Sequence, residues 1–429
     1  MHKAERRRGG SLRAYVASLS GTALEYYDFA VYGSLAALVF GKLFFPSHAP
    51  LTGALQAFAA YGVGYAARPL GGILFGRLGD VIGRKKILVA TLLLVGIATF
   101  LVGLLPTYTQ AGALAPVMLV MLRLVQGIGV GGEWGGAVLL SSENAKASAR
   151  GFWASAAQIG PPVGTLMANG VLALLTTAMP ESTFLSWGWR VAFLLSALLV
   201  GFGLWIRAEL EETPVFLTLS KSERPNAPVT EVLKGHKRAV IASLLARLGP
   251  DVLYAMFAVF VLAYATEHLG LSRHQAVAAV ALGSAIQALA VPTSGWLSDI
   301  FGRRQVYLLG AIGAAVWSVA FFHFAHDSAA VTVGVVGGLV LQGVMYGPQA
   351  AFIAEQFPAR LRYTGSALGY TLAGVVGGAL APFAFTYLLA TTGGGNAIAL
   401  YIVTAQLFTL LGLALGRKVI DHTDEAMSD

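Results

Sequence analysis

Long apolar runs alternate with short polar segments along almost the whole chain. Most runs hold about 20 predominantly apolar residues, the length that an α-helix needs to cross the roughly 30 Å hydrocarbon core of a bilayer. The runs are numbered here as spans 1 to 12, and they lie at residues 12–41, 53–76, 87–105, 114–141, 151–177, 188–207, 238–265, 274–296, 305–324, 329–352, 363–389 and 397–416. The pattern predicts an all-α membrane protein with 12 transmembrane helices.

One charged motif occurs twice, each time between two apolar runs. The pattern Gly-x3-Asp-x2-Gly-Arg begins at Gly76 and again at Gly295. Equivalent loops in two parts of a hydrophobic chain indicate two homologous halves, an architecture that transporters use around a central site. We therefore predict two six-helix halves, 1–208 and 238–429, joined by the polar, proline-containing linker 209–237.

Composition and charge agree with a membrane protein. Hydrophobic residues make up 56% of the chain and charged residues only 12%, which leaves more apolar surface than a soluble core can bury. Of the 29 Lys and Arg residues, 23 lie at the termini or in loops on one side of the spans and three on the other side. This bias predicts that both termini are cytoplasmic, and it explains the net charge of +8 without any nucleic-acid partner.

Metal, cofactor and enzyme chemistry find no support in the sequence. The chain has no cysteine, and its eight histidines show no metal-ligand spacing. We see no catalytic constellation either. We expect no metal, no cofactor and no enzymatic activity.

Several ionisable residues fall inside the spans, where a charge costs a few kcal/mol and marks a functional site by default. They are Glu25 and Asp28 in span 1, Arg68 in span 2, Arg123 and Glu133 in span 4, and Arg247 and Asp251 in span 7. Counted at ~1.5 Å per residue from the cytoplasmic helix ends, Glu25, Asp251 and Glu133 lie ~15 to ~20 Å deep, near the midplane. The same count puts Arg123 about 30 Å deep, toward the outer side.

The acids and the arginines suggest different tasks. Burial favours the protonated form of a carboxyl group, so we predict proton coupling by Glu25, Asp28, Arg123 and Glu133. An arginine fork matches a carboxylate, which makes Arg68 and Arg247 candidates for binding an anion. The full set of substrate-binding candidates is Arg68, Tyr27, Trp134, Gln158, Arg247, Asp251, Tyr254, Gln342 and Tyr346. A purely structural role stays open as an alternative. Glu25 or Asp28 could form an ion pair with Arg123, and Arg247 could form one with Asp251, four residues away on the same helix.

The motifs resemble those of the major facilitator superfamily. Both Gly-x3-Asp-x2-Gly-Arg loops and the run Arg123-Leu-Val-Gln126-Gly127 carry that resemblance. Within the superfamily, Glu25-Tyr-Tyr-Asp28-Phe and Ala67-Arg68-Pro69 are similar to the metabolite:proton symporter family of shikimate permease and its relatives. The resemblance implies the major facilitator fold and a role of Asp28, Arg123 and Glu133 in proton coupling. It also implies a cytoplasmic latch of Asp80, Arg84, Glu143 and Arg150, with Asp299, Arg303, Glu355 and Arg362 as its second-half counterpart.

The sequence thus favours a proton-coupled symporter in a bacterial inner membrane that imports a small carboxylate, such as a shikimate-like acid, another organic acid or a dicarboxylate. Its partners would be this substrate, protons and the lipid bilayer, and we expect a monomer. Three alternatives stay open: a proton antiporter or exporter of the same fold, a proton-independent facilitator, and a membrane sensor that binds without transporting.

Overall fold

The computed structural model describes residues 2–46, 50–82, 84–131, 147–208, 228–358 and 361–417, together with Val138 and Ser141. Within these residues the secondary structure is helical throughout, and each predicted span coincides with helix. Nine of the described helices, covering spans 4 to 12, are long and apolar enough to cross a membrane. The prediction of an all-α membrane protein is confirmed.

Spans 1 to 6 follow the predicted order, with several interruptions. Span 1 comprises His2–Leu35, the π-helical turn Ala36–Phe40 and Gly41–Leu43. Span 2 is Pro50–Ala66 followed by Arg68–Ile82, span 3 is Arg84–Leu104, and span 4 is Leu114–Gly131 after the short helix Tyr108–Ala111. The 3-10 turn Ala147–Ala149 leads into span 5, Arg150–Ala154 and Ala156–Ala178. Span 6 comprises Glu181–Thr183, the π-turn Phe184–Gly188, Trp189–Leu194 and Ser196–Ala208.

The second set of spans is built in the same way. Span 7 comprises Lys237–Tyr254, the π-turn Ala255–Phe260, Val261–Ala263 and the π-turn Tyr264–His268. Spans 8, 9 and 10 are Arg273–Phe301, Arg303–Phe324 and Ser328–Ala354. Span 11 is Arg362–Ala373, the π-turn Gly374–Ala379 and Leu380–Thr392, and span 12 is Asn396–Leu415.

The predicted linker contains a helix. Residues 209–227 lie outside the described part of the chain, but Pro228–Gly235 forms a helix ahead of span 7. Its Val232 is buried in a small core with Phe357 and Leu361 from the segment between spans 10 and 11. This end of the linker is therefore packed against the second set of spans.

The helix pairs repeat when six is added to each span number. Spans 1 and 5, 2 and 4, 3 and 4, and 3 and 6 pack together, as do spans 7 and 11, 8 and 10, 9 and 10, and 9 and 12. The two sets meet through spans 2 and 11 and through spans 5 and 8. The same rule relates these two pairs when counting starts again at 1 after span 12. The packing shows the internal duplication that the repeated motif predicted.

Glycines allow these close crossings. A Cβ atom at Gly71 of span 2 would collide with the backbone carbonyl of Ile128 in span 4, and one at Gly164 of span 5 with the backbone of span 1. Small residues bring helix backbones together in membranes. In the second copy of the charged motif, Gly302 has φ 95°, a backbone conformation that favours glycine and lets span 8 end and span 9 begin within one residue.

Candidate functional site

Tyrosines from both sets of spans meet at the centre of the molecule. The hydroxyl of Tyr370 in span 11 lies 2.7 Å from that of Tyr26 in span 1 and 3.1 Å from that of Tyr346 in span 10. All three rings are buried. We call Tyr26, Tyr346 and Tyr370 the tyrosine cluster, and it joins the two sets of spans by hydrogen bonds.

Arg68 lies beside this cluster at the break between the two helices of span 2. Its guanidinium carbon is 3.9 Å from the ring centroid of Tyr65, 4.3 Å from that of Phe29 and 5.8 Å from that of Tyr26. The side chain is 2% exposed, and its Nε and Nη2 have no hydrogen-bond acceptor among the described residues. Buried donors of this kind are costly unless a partner accepts from them, so Arg68 can bind an anion.

Arg247 approaches the cluster from span 7. Its Nε donates to Asp251 Oδ2 over 2.8 Å, and its guanidinium carbon lies 3.0 Å from the ring centroid of Tyr370. Its Nη1 has no acceptor in the described part of the chain. Arg247 and Asp251, four residues apart, therefore form the predicted ion pair. The Nη1 group of Arg247 can still donate a hydrogen bond to a further acceptor.

Arg123 of span 4 lies beside two aromatic rings of span 1. Its guanidinium carbon is 4.4 Å from the ring centroid of Phe29, the ring that Arg68 also contacts, and 4.0 Å from that of Tyr32. Its Nη1 donates to Gln126 Oε1, and Gln126 donates to Thr99. The depth counted for Arg123 in the bilayer stays a prediction.

The two acids of span 1 face a different direction from Tyr26. Glu25 and Asp28 are 5% and 4% exposed, and both line a small cavity between spans 1, 3 and 6. Asp28 lies near Thr99 and near the charge of Arg123. Thr99 thus connects Asp28 with the side chains around Arg123.

Other predicted substrate contacts are engaged inside the protein. Tyr27 donates its hydroxyl hydrogen to the carbonyl of Ala192, so it faces span 6 and lies apart from the tyrosine cluster. Gln158 of span 5 donates to Gln349 of span 10 over 3.1 Å. Gln342 accepts from Gln287 over 2.5 Å, and the Tyr254 hydroxyl is hydrogen-bonded to that of Thr165.

Three of the four predicted second-half latch residues come together where spans 5 and 8 meet. Asp299 accepts from the backbone N–H groups of Gly151 and Phe152 over 2.9 Å each, and thereby caps the first turn of span 5. Arg303 donates to Asp299 over 2.5 Å, and its Nε lies 3.5 Å from Glu355. We call the end of the molecule that carries these residues the latch side.

The remaining latch and coupling residues are described less fully. Arg150 begins span 5 beside the capped turn, and Arg362 begins span 11. Glu133, Trp134 and Glu143 lie outside the described residues, and the side chains of Asp80 and Arg84 are likewise not among those described.

The two sets of spans also touch at the opposite end, which we call the far side. Arg273 at the start of span 8 forms an ion pair with Glu181 at the start of span 6. This pairing holds the pKa of Glu181 below its ordinary value, because Arg273 both donates a hydrogen bond and brings a positive charge. His274 and Thr177 are hydrogen-bonded over 2.9 Å. Contacts at both ends show that the tyrosine cluster is enclosed in this conformation.

Comparison with known proteins agrees with this geometry. Residues 13–234 match the family model described as Sugar (and other) transporter, and residues 251–425 match that of the Major Facilitator Superfamily. The chain belongs to the major facilitator superfamily. It is a multi-pass membrane transporter, and the family resemblance predicted from the motifs is confirmed.

Its relatives among named proteins are transporters, which supports the prediction that the chain is no enzyme. It is 37% identical to the shikimate transporter of Escherichia coli, over 93% of each chain. It is also 37% identical to the E. coli inner membrane metabolite transport protein YhjE, over 94% of this chain and 93% of that protein. The proline/betaine transporter of E. coli is 31% identical over 94% of this chain and 83% of that protein.

Solved structures show the same fold. The xylose transporter XylE of E. coli, in a partially occluded inward open conformation, superposes with a TM-score of 0.75 and 17% sequence identity. The superposition covers 95% of this chain and 97% of XylE. The prediction of the major facilitator fold is confirmed.

Some central residues of the transporter were missing from the predicted site. Tyr65 stacks against Arg68 and hydrogen-bonds Tyr61 over 3.2 Å, and Tyr370 contacts Arg247. The spacing Tyr61-x3-Tyr65-x2-Arg68 places three large polar side chains on one helical face, and this signal could have revealed them. Tyr370 has no charged residue three or four positions away in its span, so the same signal does not mark it.

Proposed function

We propose that this transporter is a proton-coupled symporter that imports a small carboxylate metabolite by alternating access. The observation that carries the proposal is the pair of buried arginines beside the tyrosine cluster. Arg68 contacts the ring of Tyr26 and Arg247 that of Tyr370, so a bound anion would contact both sets of spans at once. A bidentate carboxylate would satisfy donors that have no acceptor among the described residues.

Proton coupling is the role we assign to the acids of span 1. Asp28 and Glu25 are buried, and Arg123 lies near Asp28 without forming a direct ion pair with it among the described contacts. A carboxyl group that is protonated in one state and released in another ties proton movement to the conformational change. Glu133 stays a predicted coupling residue. Similarity to the shikimate transporter and to the proline/betaine transporter supports a substrate that carries a carboxylate.

The proposal includes a topology and a motion. The latch side is cytoplasmic in a bacterial inner membrane, both termini lie there, and residues 1–208 and 238–429 rock as two halves of a monomer. Asp299, Arg303 and Glu355 then hold the cytoplasmic side closed. By the internal repeat, Asp80, Arg84, Glu143 and Arg150 perform the equivalent task, together with Arg362 at the start of span 11.

Uptake into proteoliposomes tests the function directly. The protein is reconstituted with an acid-outside gradient and offered radiolabelled shikimate, proline, dicarboxylates and tricarboxylates, with and without a protonophore. We expect one acid to accumulate above its external concentration and the protonophore to abolish the accumulation. Equilibration that ignores the gradient would identify a facilitator, and release against an inward-acid gradient would identify an antiporter.

A further inference from the structure

The cavity beside Glu25 and Asp28 is separate from the tyrosine cluster. It is lined by side chains of spans 1, 3 and 6, whereas the cluster is built from spans 1, 10 and 11. The lining residues are Leu24, Glu25, Asp28, Leu92, Val95, Ser196, Leu199 and Val200. Two acidic residues and one serine therefore line an otherwise apolar space.

The size of this space matches one water molecule. About 10 Å³ of it is open to the centre of a water-sized sphere. A volume of this order holds a single water if at least two polar groups are within reach. Glu25, Asp28 and Ser196 supply three.

Ser196 gives an independent sign of a small polar ligand. Its side chain is 1% exposed, and its Oγ has no hydrogen-bond partner among the described residues. Serine hydroxyls inside helices usually donate to the carbonyl four residues earlier, as Thr99 does to Val95. A buried hydroxyl that gives up this bond and lines a polar cavity is oriented toward a partner in that cavity.

We propose that Ser196 holds one water molecule between Asp28 and Glu25 and that this water passes the coupling proton from one carboxyl group to the other. The inference rests on the proposed proton symport and extends it with a route. Tyr15 near the start of span 1 stacks on Phe152 at the latch side, with ring centroids 5.6 Å apart. Glu25 is three residues closer to that side than Asp28, about 4.5 Å along the helix. The relay therefore leads toward the latch side.

The transfer conserves protons and bonds. Protonated Asp28 gives its proton to the water oxygen, while the water gives one of its own protons to the Glu25 carboxylate. Asp28 becomes a carboxylate, Glu25 becomes a carboxylic acid, and the water is regenerated. Ser196 keeps its proton and only orients the water, and Glu25 releases the proton to bulk water when the latch side opens.

A positive charge acts on each carboxyl group of the relay. Arg123 lies near Asp28 and stabilises its carboxylate after the proton has left. The charge of Arg68 reaches Glu25 from span 2 and favours the release of the proton from Glu25 to bulk water. Tyr27 is the other titratable neighbour of Asp28, and its hydroxyl is committed to the carbonyl of Ala192.

The Ser196→Ala variant separates proton transfer from substrate binding. Wild type and variant are compared with the radiolabelled acid that accumulates in the uptake panel. One assay is uphill uptake driven by an acid-outside gradient. The other is exchange at equal pH and equal concentration, which requires no net proton movement. We expect the rate of uphill uptake to fall about tenfold, because this is the rate effect of losing one hydrogen bond whose free energy lies near the upper end of the usual range. We expect the rate of exchange to stay within about twofold of wild type. Equal losses in both assays, or wild-type rates in both, would overturn the relay.

The control is Ser284→Ala, which removes another buried hydroxyl without a described partner, in span 8. We expect it to leave both rates unchanged. A second readout does not depend on the substrate: the infrared C=O band of protonated Asp28, identified by its loss in Asp28→Asn, should shift in Ser196→Ala and not in Ser284→Ala. An unmoved band would overturn the water site even if symport holds. Failure of wild type to accumulate any acid in the uptake panel, with the band shifted as expected, would instead refute symport.

Discussion

The hydrogen bonds of Asp299 across the two sets of spans lead to a quantitative prediction. Asp299 accepts from Gly151 and Phe152 over 2.9 Å each, and its side chain is 7% exposed. Both bonds join span 8 to span 5, so they exist only while the latch side is closed. Asp299→Ala removes them.

The size of the effect follows from the charge of the acceptor. A hydrogen bond to a charged group contributes about 1.5–3 kcal/mol when it is well shielded, and N-terminal capping contributes about 1 kcal/mol. Because Asp299 lies at the aqueous edge of the protein, we expect about 2–3 kcal/mol for both bonds together, a shift of roughly 30- to 150-fold toward the latch-open state. Asp299→Asn keeps one acceptor and should give an intermediate shift.

Cysteine labelling measures this shift, because the natural chain has no cysteine. Ser155 is completely buried where spans 5 and 8 meet, and its Cβ would lie 3.1 Å from a Cβ added at Gly295. In a Ser155→Cys background, a charged maleimide should react roughly 30- to 150-fold faster with Asp299→Ala, since the rate follows the open population. Asp327→Ala serves as the control, because Asp327 caps span 10 within one set of spans. Labelling rates that differ by less than about threefold between Asp299→Ala and its parent would refute the reasoning.

Three further predictions concern binding, packing and the far side. Arg68→Gln should raise the Kd of the acid that accumulates in the uptake panel at least 100-fold, since a charge-assisted bidentate contact is lost. An unchanged Kd in equilibrium binding would remove Arg68 from the site. Gly71→Ala should lower the free energy of unfolding by about 1–3 kcal/mol, seen as a lower Tm in detergent, because its Cβ would strike the backbone of span 4. Gly170→Ala, where a Cβ meets open space, should be neutral, and equal Tm values for both variants would contradict this account of the crossing. Arg273→Ala should raise the pKa of Glu181 in a carbon-13 NMR titration. Because the pKa of Glu181 is lowered, the ion pair stabilises the folded protein at pH values above the ordinary carboxyl pKa, and this stabilisation is lost as the pH falls through the pKa of Glu181 in the folded protein. A Glu181 pKa that does not change in Arg273→Ala would exclude the pairing in solution.

Sequence patterns predicted the elements of the fold but not every direction in which side chains point. Apolar length alone located the spans, and the motif repeat indicated a duplication that the packing shows in full. Tyr26 and Tyr27 illustrate the limit. Neighbouring helical residues point about 100° apart, and only the packing of span 6 decides that Tyr27 turns away from the centre.

Charge spacing within one helix correctly predicted a contact. The four-residue separation of Arg247 and Asp251 correctly implied contact, because both positions belong to one helix whose geometry is fixed. The ring neighbours of Arg123 depend on how span 4 crosses spans 1 and 2, and the sequence of span 4 contains no such information. Glu25 and Asp28 share a face, as their spacing predicted, but the role of Ser196 opposite them required tertiary structure.

The burial of span 7 among the other helices has a consequence for biosynthesis. Its apolar window is 94% buried, against 33–50% for the other eight described helices that are long enough to span a membrane. Span 7 therefore loses most of its lipid contact once its neighbours have packed. Before that moment the nascent helix must enter the bilayer with two opposite charges. The contact between Arg247 and Asp251 lies within that single helix, so it is available during insertion and reduces the cost of both charges. Without Asp251, span 7 would insert with an unpaired arginine. We therefore expect a smaller amount of protein in the membrane, and not a lower transport rate per molecule, as the main defect.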